Sequence, residues 1–246
     1  MRPLISLQLY TVRDHLAKDE LGTLETISSI GYEGVEIGYG SSDAFLNKCD
    51  ELGLKITGIH VGLDALQNDL DGVVAFAKKV DNQFVILSWI SDEHRGDLGA
   101  WNKTADLLSE IGAKLREQGL RLLYHNHDFE FESFDGKYGL DVLYENVPAE
   151  NLGAELDTYW VKKGGADPVQ YIERYSARLP LLHIKDITEE GDFAEIGQGT
   201  LNWPAIFAAA EMAEVSVYVV EQDKCVGDPF DSIKLSLENL KKMGKI

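Results

Sequence analysis

Polar side chains that bind metals and transfer protons close a series of short apolar segments along this chain. The series comprises Gln8, Glu36, His60, His125, His127, Asp157, His183 and Glu221. Burying such a side chain without a partner costs free energy. Because polar side chains recur at the ends of so many buried segments, we infer that they contact each other in a shared site. The pattern predicts one site that is assembled from the ends of many strands.

The donor atoms in this series are imidazole nitrogens and carboxylate oxygens. Four of the six histidines lie at predicted strand ends: His60, His125, His127 and His183. A mixed set of nitrogen and carboxylate donors suits Zn²⁺, Mn²⁺, Co²⁺ or Fe²⁺ better than Mg²⁺ or Ca²⁺. Such a cation could polarise a carbonyl or hold the hydroxyls of an enediolate. The alternative is an ion-pair network with Lys185 that stabilises the site without a metal.

Residues two apart on a strand share a face, which groups the candidates further. The pairs are His125 with His127, Glu155 with Asp157, His183 with Lys185, and Glu221 with Asp223. Lys185 could balance the charge of a developing enediolate or bind an anionic group of a substrate. The candidates for substrate binding are Gln8, Glu36, His60, Trp89 and Trp160. Among these, Glu36 could accept hydrogen bonds from hydroxyls, and an indole face could stack on a sugar.

Eight extended apolar segments would carry these residues. They lie near 4–9, 33–37, 55–60, 84–89, 120–125, 152–156, 180–185 and 215–221. Helical patterns lie between most of them, and Gly31, Gly53 and Gly119 are placed to end three helices. Capping side chains precede prolines at Asp167-Pro168, Asn202-Trp203-Pro204 and Asp228-Pro229, where later helices would begin.

A strand and a helix that alternate eight times predict an α/β fold, a single (β/α)₈ TIM barrel over residues 1–246. A doubly wound open sheet is the alternative. It is disfavoured because no G-x-G-x-x-G follows the first strand, and because polar strand ends occur throughout the chain. In a barrel the active site lies at the carboxyl ends of the strands, where the polar series falls.

Composition narrows the possible partners. With 23 Lys and Arg against 42 Asp and Glu, the net charge is −19, which would repel a phosphate backbone and predicts no nucleic acid partner. The first residues do not resemble a secretory signal and no apolar run reaches membrane-spanning length, so we expect a cytoplasmic protein without a membrane partner. Cys49 and Cys225 lack the spacing of a disulfide framework or thiolate metal site. Association into a homo-oligomer is left open.

Five segments resemble the sugar phosphate isomerase/epimerase family, whose fold is the xylose-isomerase-like TIM barrel. They are YHNHDFEF at 124–131, LDTYW at 156–160, HIKD at 183–186, EIGQGTLNWPAIF at 195–207 and VVEQD at 219–223. The resemblance extends from residue 6 to the last strand. Relatives include inosose dehydratases, hydroxypyruvate isomerases, ketose 3-epimerases and, more distantly, endonuclease IV.

The resemblance implies a divalent metal, Zn²⁺, Mn²⁺ or Co²⁺, held by Glu, Asp, His and Glu from strands five to eight. The matching positions are Asp157, His183 and Glu221, with His125 at the place of the first Glu. Many members read Glu-Asn-His where this chain reads His125-Asn126-His127. A neutral imidazole can ligate there, and Glu130 could supply a carboxylate only if its loop folds back.

These expectations lead to a hypothesis and its alternatives. The hypothesis is a metal-dependent isomerase or epimerase of a small sugar or keto-polyol, in which Glu221 and either His125 or His127 move protons. One alternative is a lyase that eliminates water, as inosose dehydratases do. Another is a non-catalytic carbohydrate-binding barrel, and the endonuclease reading is the weakest. The segment GQGTLNWP could receive a phosphate at a helix N-terminus, or be an ordinary loop and cap.

Overall fold

Eight parallel strands close into a barrel in the computed structural model, which describes residues 2–246. The strands are β1 Leu4–Gln8, β2 Gly34–Gly38, β3 Lys55–Val61, β4 Phe84–Leu87, β5 Arg121–His125, β6 Gly153–Asp157, β7 Leu181–Ile184 and β8 Val217–Val220. Each strand pairs with its neighbour in sequence, and β1 pairs with β8 to close the ring. The predicted barrel is confirmed; Met1, where the expected domain begins, lies outside the described residues.

Eleven α-helices surround the strands within residues 2–246. They are α1 Arg13–Leu16, α2 Glu20–Ile30, α3 Asp43–Leu52, α4 Leu63–Asn68, α5 Leu70–Lys79, α6 Leu98–Glu117, α7 Gly139–Asn146, α8 Thr158–Lys163, α9 Pro168–Arg174, α10 Trp203–Met212 and α11 Pro229–Lys242. Short 3₁₀ turns occupy Leu9–Val12, Asp92–His94, Phe129–Phe131 and Ser176–Arg178. Among these residues no helix is both long and apolar enough to cross a bilayer.

The helix ends follow the local chemistry of the sequence. Ser42 caps α3 by accepting a hydrogen bond from the backbone N–H of Phe45. Gly31 and Gly53 end α2 and α3 with φ angles of 111° and 70°, a region that glycine enters without steric cost. The predicted caps at Asp167, Asn202 and Asp228 are present. The helices therefore begin and end where their capping residues allow.

The inside of the barrel is divided into an apolar layer and a polar layer. A small cluster fills its amino-terminal half with Phe84, Ile86, Leu123, Leu181, Val217 and Val219. Two residues further along the same strands stand His125, His183 and Glu221. Because side chains two apart share a face, the apolar layer forms the floor on which the polar residues are assembled.

Two short antiparallel ribbons lie beyond the strand ends. Ser133–Phe134 pairs with Lys137–Tyr138 after β5, and Asp186–Ile187 pairs with Phe193–Ala194 after β7. Asp186 is fully buried, and its carboxylate accepts five hydrogen bonds. The donors are the backbone N–H groups of Ile187, Gly197, Gly199 and Leu201 and the indole N–H of Trp203.

This carboxylate changes the interpretation of the glycine-rich segment. The N–H groups of Gly197 and Gly199, which the sequence offers to a phosphate, are bonded to Asp186 at 2.9 and 3.1 Å. An internal anion thus occupies the place that an external one would take. The segment is therefore a loop anchored to the ribbon after β7, which favours the second of the two alternatives, an ordinary loop and cap, because these two amides are already bonded.

Candidate active site and metal centre

A cavity of about 500 Å³ opens at the carboxyl ends of the strands. Four of the residues predicted to act there line it directly: Gln8, His60, His127 and Glu221. His125 also reaches the wall, although only 4% of its surface is exposed. The volume suits a small polar molecule, since ligand pockets fall mainly between about 300 and 1,000 Å³.

Lys185 lies beneath the cavity in a cluster of carboxylates. Its ammonium is 3.0 Å from Asp157 Oδ2, 2.9 Å from Glu221 Oε2 and 2.6 Å from Asp223 Oδ2. Burial opposes the charge, but these three carboxylates raise the pKa of Lys185 well above its ordinary value. Burial likewise raises the pKa of Asp157, to about 6, against the lowering influence of Lys185. Lys185 is therefore a fixed positive charge below the pocket.

His183 stands between two groups of acids, with one ring nitrogen facing each. Its Nδ1 is 3.1 Å from Glu221 Oε2 and 3.9 Å from Asp157 Oδ2. Its Nε2 is 2.9 Å from Glu36 Oε2 and 3.2 Å from Glu155 Oε2. Burial lowers the pKa of this ring, yet Glu155 and Glu36 outweigh it and raise the pKa well above the ordinary value.

Glu36 and Glu155 form an inner group with His60 and His183. Glu36 Oε2 accepts hydrogen bonds from Gln8 Nε2 at 3.0 Å and from His60 at 3.1 Å. His60 Nε2 is also 3.2 Å from Glu155 Oε2, and both glutamates are fully buried. Burial lowers the pKa of His60, but Glu155 and Glu36 raise it to about 9.

The two histidines of the HNH motif differ from His60 and His183 in charge. Burial lowers the pKa of His125 to about 3 and that of His127 to about 4, and neighbouring cationic groups add to both effects. Both rings are therefore neutral near pH 7, as a metal ligand or a proton acceptor must be. His127 packs between Phe129 and Trp160, with ring centroids 5.4 Å away on each side.

The four predicted metal ligands come together. One donor atom each from His125, Asp157, His183 and Glu221 lies within 4.8 Å of the others. His125 Nδ1 and Asp157 Oδ2 form no hydrogen bond within residues 2–246, although Glu155 Oε2 lies 3.2 Å from the first and Lys185 Nζ lies 3.0 Å from the second. Two imidazoles and two carboxylates this close together are a donor set that divalent transition metals take. The residues present therefore fit a divalent ion.

Several predicted residues lie elsewhere than at the cavity wall. Glu36 is beneath it, sealed by its own hydrogen bonds. Trp160 packs against His127, and Trp89 is 51% exposed, 5.8 Å from the guanidinium of Arg95. Neither indole is among the residues that line the pocket. An indole-stacked sugar would therefore need a pose that reaches beyond the cavity.

The loop after β5 does not return a carboxylate to the centre. Glu130 accepts hydrogen bonds from the Tyr124 hydroxyl at 2.7 Å and from the backbone N–H of His127 at 2.8 Å. It stabilises the turn that follows β5, and it is absent from both groups of candidate ligands among the described residues. His125 thus faces the centre without that acid.

Sequence reasoning missed two contributions to the site. Glu155 faces inward at the level below Asp157, and only barrel closure places it opposite Glu36. Arg13, at the mouth, donates hydrogen bonds to the carbonyl oxygens of Tyr10 and Asp223 at 2.8 and 3.0 Å. The two-residue spacing of Glu155 and Asp157 indicates that both side chains share a face, which could have identified Glu155. The sequence holds no comparable signal for the hydrogen bonds of Arg13.

Comparison with known proteins places these features in a family. The model of the xylose isomerase-like TIM barrel matches residues 24–243. The inosose dehydratase of Bacillus cereus (strain AH820) is 24% identical over 152 residues, 53% of this chain and 50% of that protein. The inosose dehydratase of Clostridium beijerinckii is 21% identical over 222 residues, 81% of this chain and 67% of that protein. The chain spans about half the length of most of the curated relatives that it matches.

Solved structures share the fold. A sugar phosphate isomerase/epimerase from Parabacteroides distasonis superposes with a TM-score of 0.85 at 21% identity, covering 98% of both chains. The probable 3-DHS dehydratase from Bacillus anthracis superposes with a TM-score of 0.71 at 17% identity, covering 97% of this chain and 98% of the other. The family model covers most of the sequence and describes the barrel found here. The chain belongs to the xylose isomerase-like TIM barrel family.

Proposed function

We propose that this protein is a metal-dependent isomerase or epimerase of a small sugar or keto-polyol, which acts by removing a proton α to a carbonyl. The observation that carries the proposal is the pairing of a carboxylate and a neutral imidazole, Glu221 and His127, on the wall of one cavity. Two groups that can exchange protons with the same bound molecule are the minimum for such a reaction.

His127 and Glu221 differ in how readily each takes up a proton before a substrate binds. The pKa of His127 is lowered to about 4 by burial, so its ring is free to accept a proton. Glu221 resists protonation because Lys185 and His183, against the effect of burial, lower its pKa well below the ordinary value. His127 would take the proton from carbon, and Glu221 would return one that it has first accepted from a substrate hydroxyl. The imidazolium of His127 would then give its proton back to that oxygen, which restores both groups.

Other side chains of the site would position the substrate and balance its charge. Gln8 lines the cavity, donates to Glu36 through Nε2 and accepts from the backbone N–H of Tyr10 through Oε1, so its second N–H can meet a hydroxyl. The ammonium of Lys185, 2.9 Å from Glu221 Oε2, would offset negative charge that develops above it. A divalent ion held by His125, Asp157, His183 and Glu221 would polarise the substrate carbonyl.

A lyase that eliminates water is the second candidate. It is favoured by the relatives named inosose dehydratase and by the histidine that stands at position 125. A pair of matched carboxylates suits proton exchange on both faces of a carbon, and this chain has an imidazole in place of one. Elimination needs only one base, because the imidazolium that forms when His127 removes the proton can deliver it to the departing hydroxyl.

Incubation in D₂O tests both candidates. The protein, loaded with Zn²⁺, Mn²⁺ or Co²⁺, would be mixed with ketoses, inososes and keto acids and followed by NMR. Deuterium entering α to a carbonyl with a new stereoisomer or position supports the isomerase; loss of water with an unsaturated product supports the lyase. Binding without exchange or product under every metal refutes both and leaves a carbohydrate-binding barrel.

Matched variants connect the chemistry to the residues. Glu221→Gln and His127→Asn should each slow deuterium exchange by at least about a hundredfold, the usual minimum for a general acid or base. His94→Asn is the control, because that histidine lies outside the cavity, 2.9 Å from the Ser91 hydroxyl. Unchanged exchange in His127→Asn would remove that residue from the mechanism.

A further inference from the structure

Four donor atoms inside the barrel form a closed ring of short contacts. Glu36 Oε2 is 3.1 Å from His60 Nε2, which is 3.2 Å from Glu155 Oε2. Glu155 Oε2 is 3.2 Å from His183 Nε2, which is 2.9 Å from Glu36 Oε2. The ring draws on β2, β3, β6 and β7, and only His183 also belongs to the outer group of candidate ligands.

Hydrogen bonds alone do not satisfy this ring. Each imidazole Nε2 carries at most one proton, so two protons face four nitrogen–oxygen contacts. The Nε2 hydrogen bonds of both rings go to Glu36, while both oxygens of Glu155 and Oε1 of Glu36 have no hydrogen-bond partner within residues 2–246. Both carboxylates are fully buried, where an unpaired charge is costly.

The spacing is that of donors around a small cation. A tetrahedral ion with ligands at about 2.0–2.1 Å has neighbouring donors about 3.3–3.4 Å apart. The four contacts of the ring fall between 2.9 and 3.2 Å, a few tenths of an ångström less. A divalent ion that displaces the imidazole protons would be held by two neutral imidazoles and two carboxylates, whose charge balances its own. This donor set suits Zn²⁺ or Co²⁺ and is too small and too rich in nitrogen for Ca²⁺.

The surroundings hold the donors in place. With His183 Nε2 directed at the ring, its Nδ1 faces Glu221 Oε2 at 3.1 Å, the carboxylate–histidine–metal arrangement seen in many metal sites. A register shift between Val35 and Glu36 in the pairing of β2 with β3 sets the glutamate opposite Gly58. A Cβ at Gly58 would lie 2.9 Å from Glu36 Oε1, so glycine leaves the carboxylate room.

We propose that Glu36, His60, Glu155 and His183 bind a divalent transition-metal ion at an inner site, separate from the outer group of His125, Asp157 and Glu221. The inner site does not depend on the outer one, because three of its four ligands are its own. The two groups are linked through the ring of His183, which presents Nε2 to one and Nδ1 to the other, and through the 3.2 Å contact between His125 Nδ1 and Glu155 Oε2.

Cobalt binding in variants that disable each group separates the two sites. Asp157→Asn disables the outer group, and this variant should still bind Co²⁺ with the intense visible bands of a four-coordinate ion. Adding Glu155→Gln should weaken that binding by more than about a hundredfold, since loss of an outer-shell partner alone costs 10–100-fold. His94→Asn, a histidine outside both groups, is the matched control.

The parent protein provides a test that needs no substitution. On addition of Zn²⁺ the imidazole nitrogen resonances of His60, which belongs only to the inner group, should move to values of a metal-bound ring. The proposal is refuted if His60 does not respond, or if Glu155→Gln leaves the cobalt spectrum and affinity of Asp157→Asn unchanged. Both readouts are independent of turnover, so an inactive protein with a responsive His60 would contradict the proposed function and not the inner site.

Discussion

Replacing Lys185 by methionine removes a buried ammonium that contacts three carboxylates at once, those of Asp157, Glu221 and the partly exposed Asp223. The change keeps most of the side-chain volume, so the cost is mainly electrostatic. The ammonium lies 2.6 to 3.0 Å from Asp223, Glu221 and Asp157. At an effective dielectric constant of about 20, each contact is worth about 6 kcal/mol before the cost of burying the charges is subtracted.

The net loss is smaller because desolvation offsets most of this attraction. Breaking a buried ion pair by removing one partner costs about 3–5 kcal/mol, which we expect for Lys185→Met at pH 7. For a chain of this size that loss corresponds to a fall in Tm of roughly 6–20 °C. Urea unfolding at equilibrium measures the free energy, and calorimetry measures the Tm. Lys162→Met, at an exposed position of α8, is the control.

Two further results would test the electrostatic origin of the loss. Without the ammonium, the carboxylates that contacted it should take up protons more readily in the folded variant. The difference in free energy of unfolding between parent and variant should therefore become smaller as the pH falls from 8 to 5. Combining Lys185→Met with Glu221→Gln should recover about 1–3 kcal/mol relative to the sum of the single effects. A loss below about 1 kcal/mol, or strict additivity, would refute the account of Lys185 as the charge that holds the cluster.

The remaining predictions concern two buried acids beside the site. Burial raises the pKa of Glu130 from 4.5 to about 8, so its contribution to stability is complete below about pH 4.5 and is lost as the pH rises through 8. Glu130→Gln should therefore remove up to about 5 kcal/mol of pH dependence over that interval in urea unfolding; an unchanged profile would contradict the assignment. Asp186→Ala leaves five donors unpaired and should lower the free energy of unfolding by at least about 4 kcal/mol. The exposed Asp192→Ala should change it by less than about 0.5 kcal/mol.

Much of the fold follows from local features of the sequence. The eight apolar segments became the eight barrel strands, with ends within a few residues of those predicted, because burial on both faces leaves a continuous apolar run. Gly31, Gly53 and the caps at Asp167, Asn202 and Asp228 marked helix ends correctly, because a cap depends on a side chain and a backbone angle within one turn. Short-range chemistry of this kind can be read without knowing the rest of the chain.

The candidate site was predictable only in part. The positions of Asp157, His183 and Glu221 after apolar runs predicted that they lie at strand ends. The predicted barrel in turn implied that these three residues lie close together. The partners of each residue did not follow. Trp89 and Trp160 came after the predicted strands, yet the loops direct one to the surface and the other against His127.

The sequence by itself determined the barrel, the layer of polar strand ends and the residue types available for chemistry. Only the tertiary structure decided which residues contact each other at the site. It brings Glu155 close to Glu36 across the barrel, places three carboxylates around Lys185, and lets Asp186 accept hydrogen bonds from the amides of the glycine-rich loop. The physical reason is that closing the ring sets the register of every strand against its neighbours. Contacts between residues from different strands and loops depend on that register and leave no local trace in the sequence.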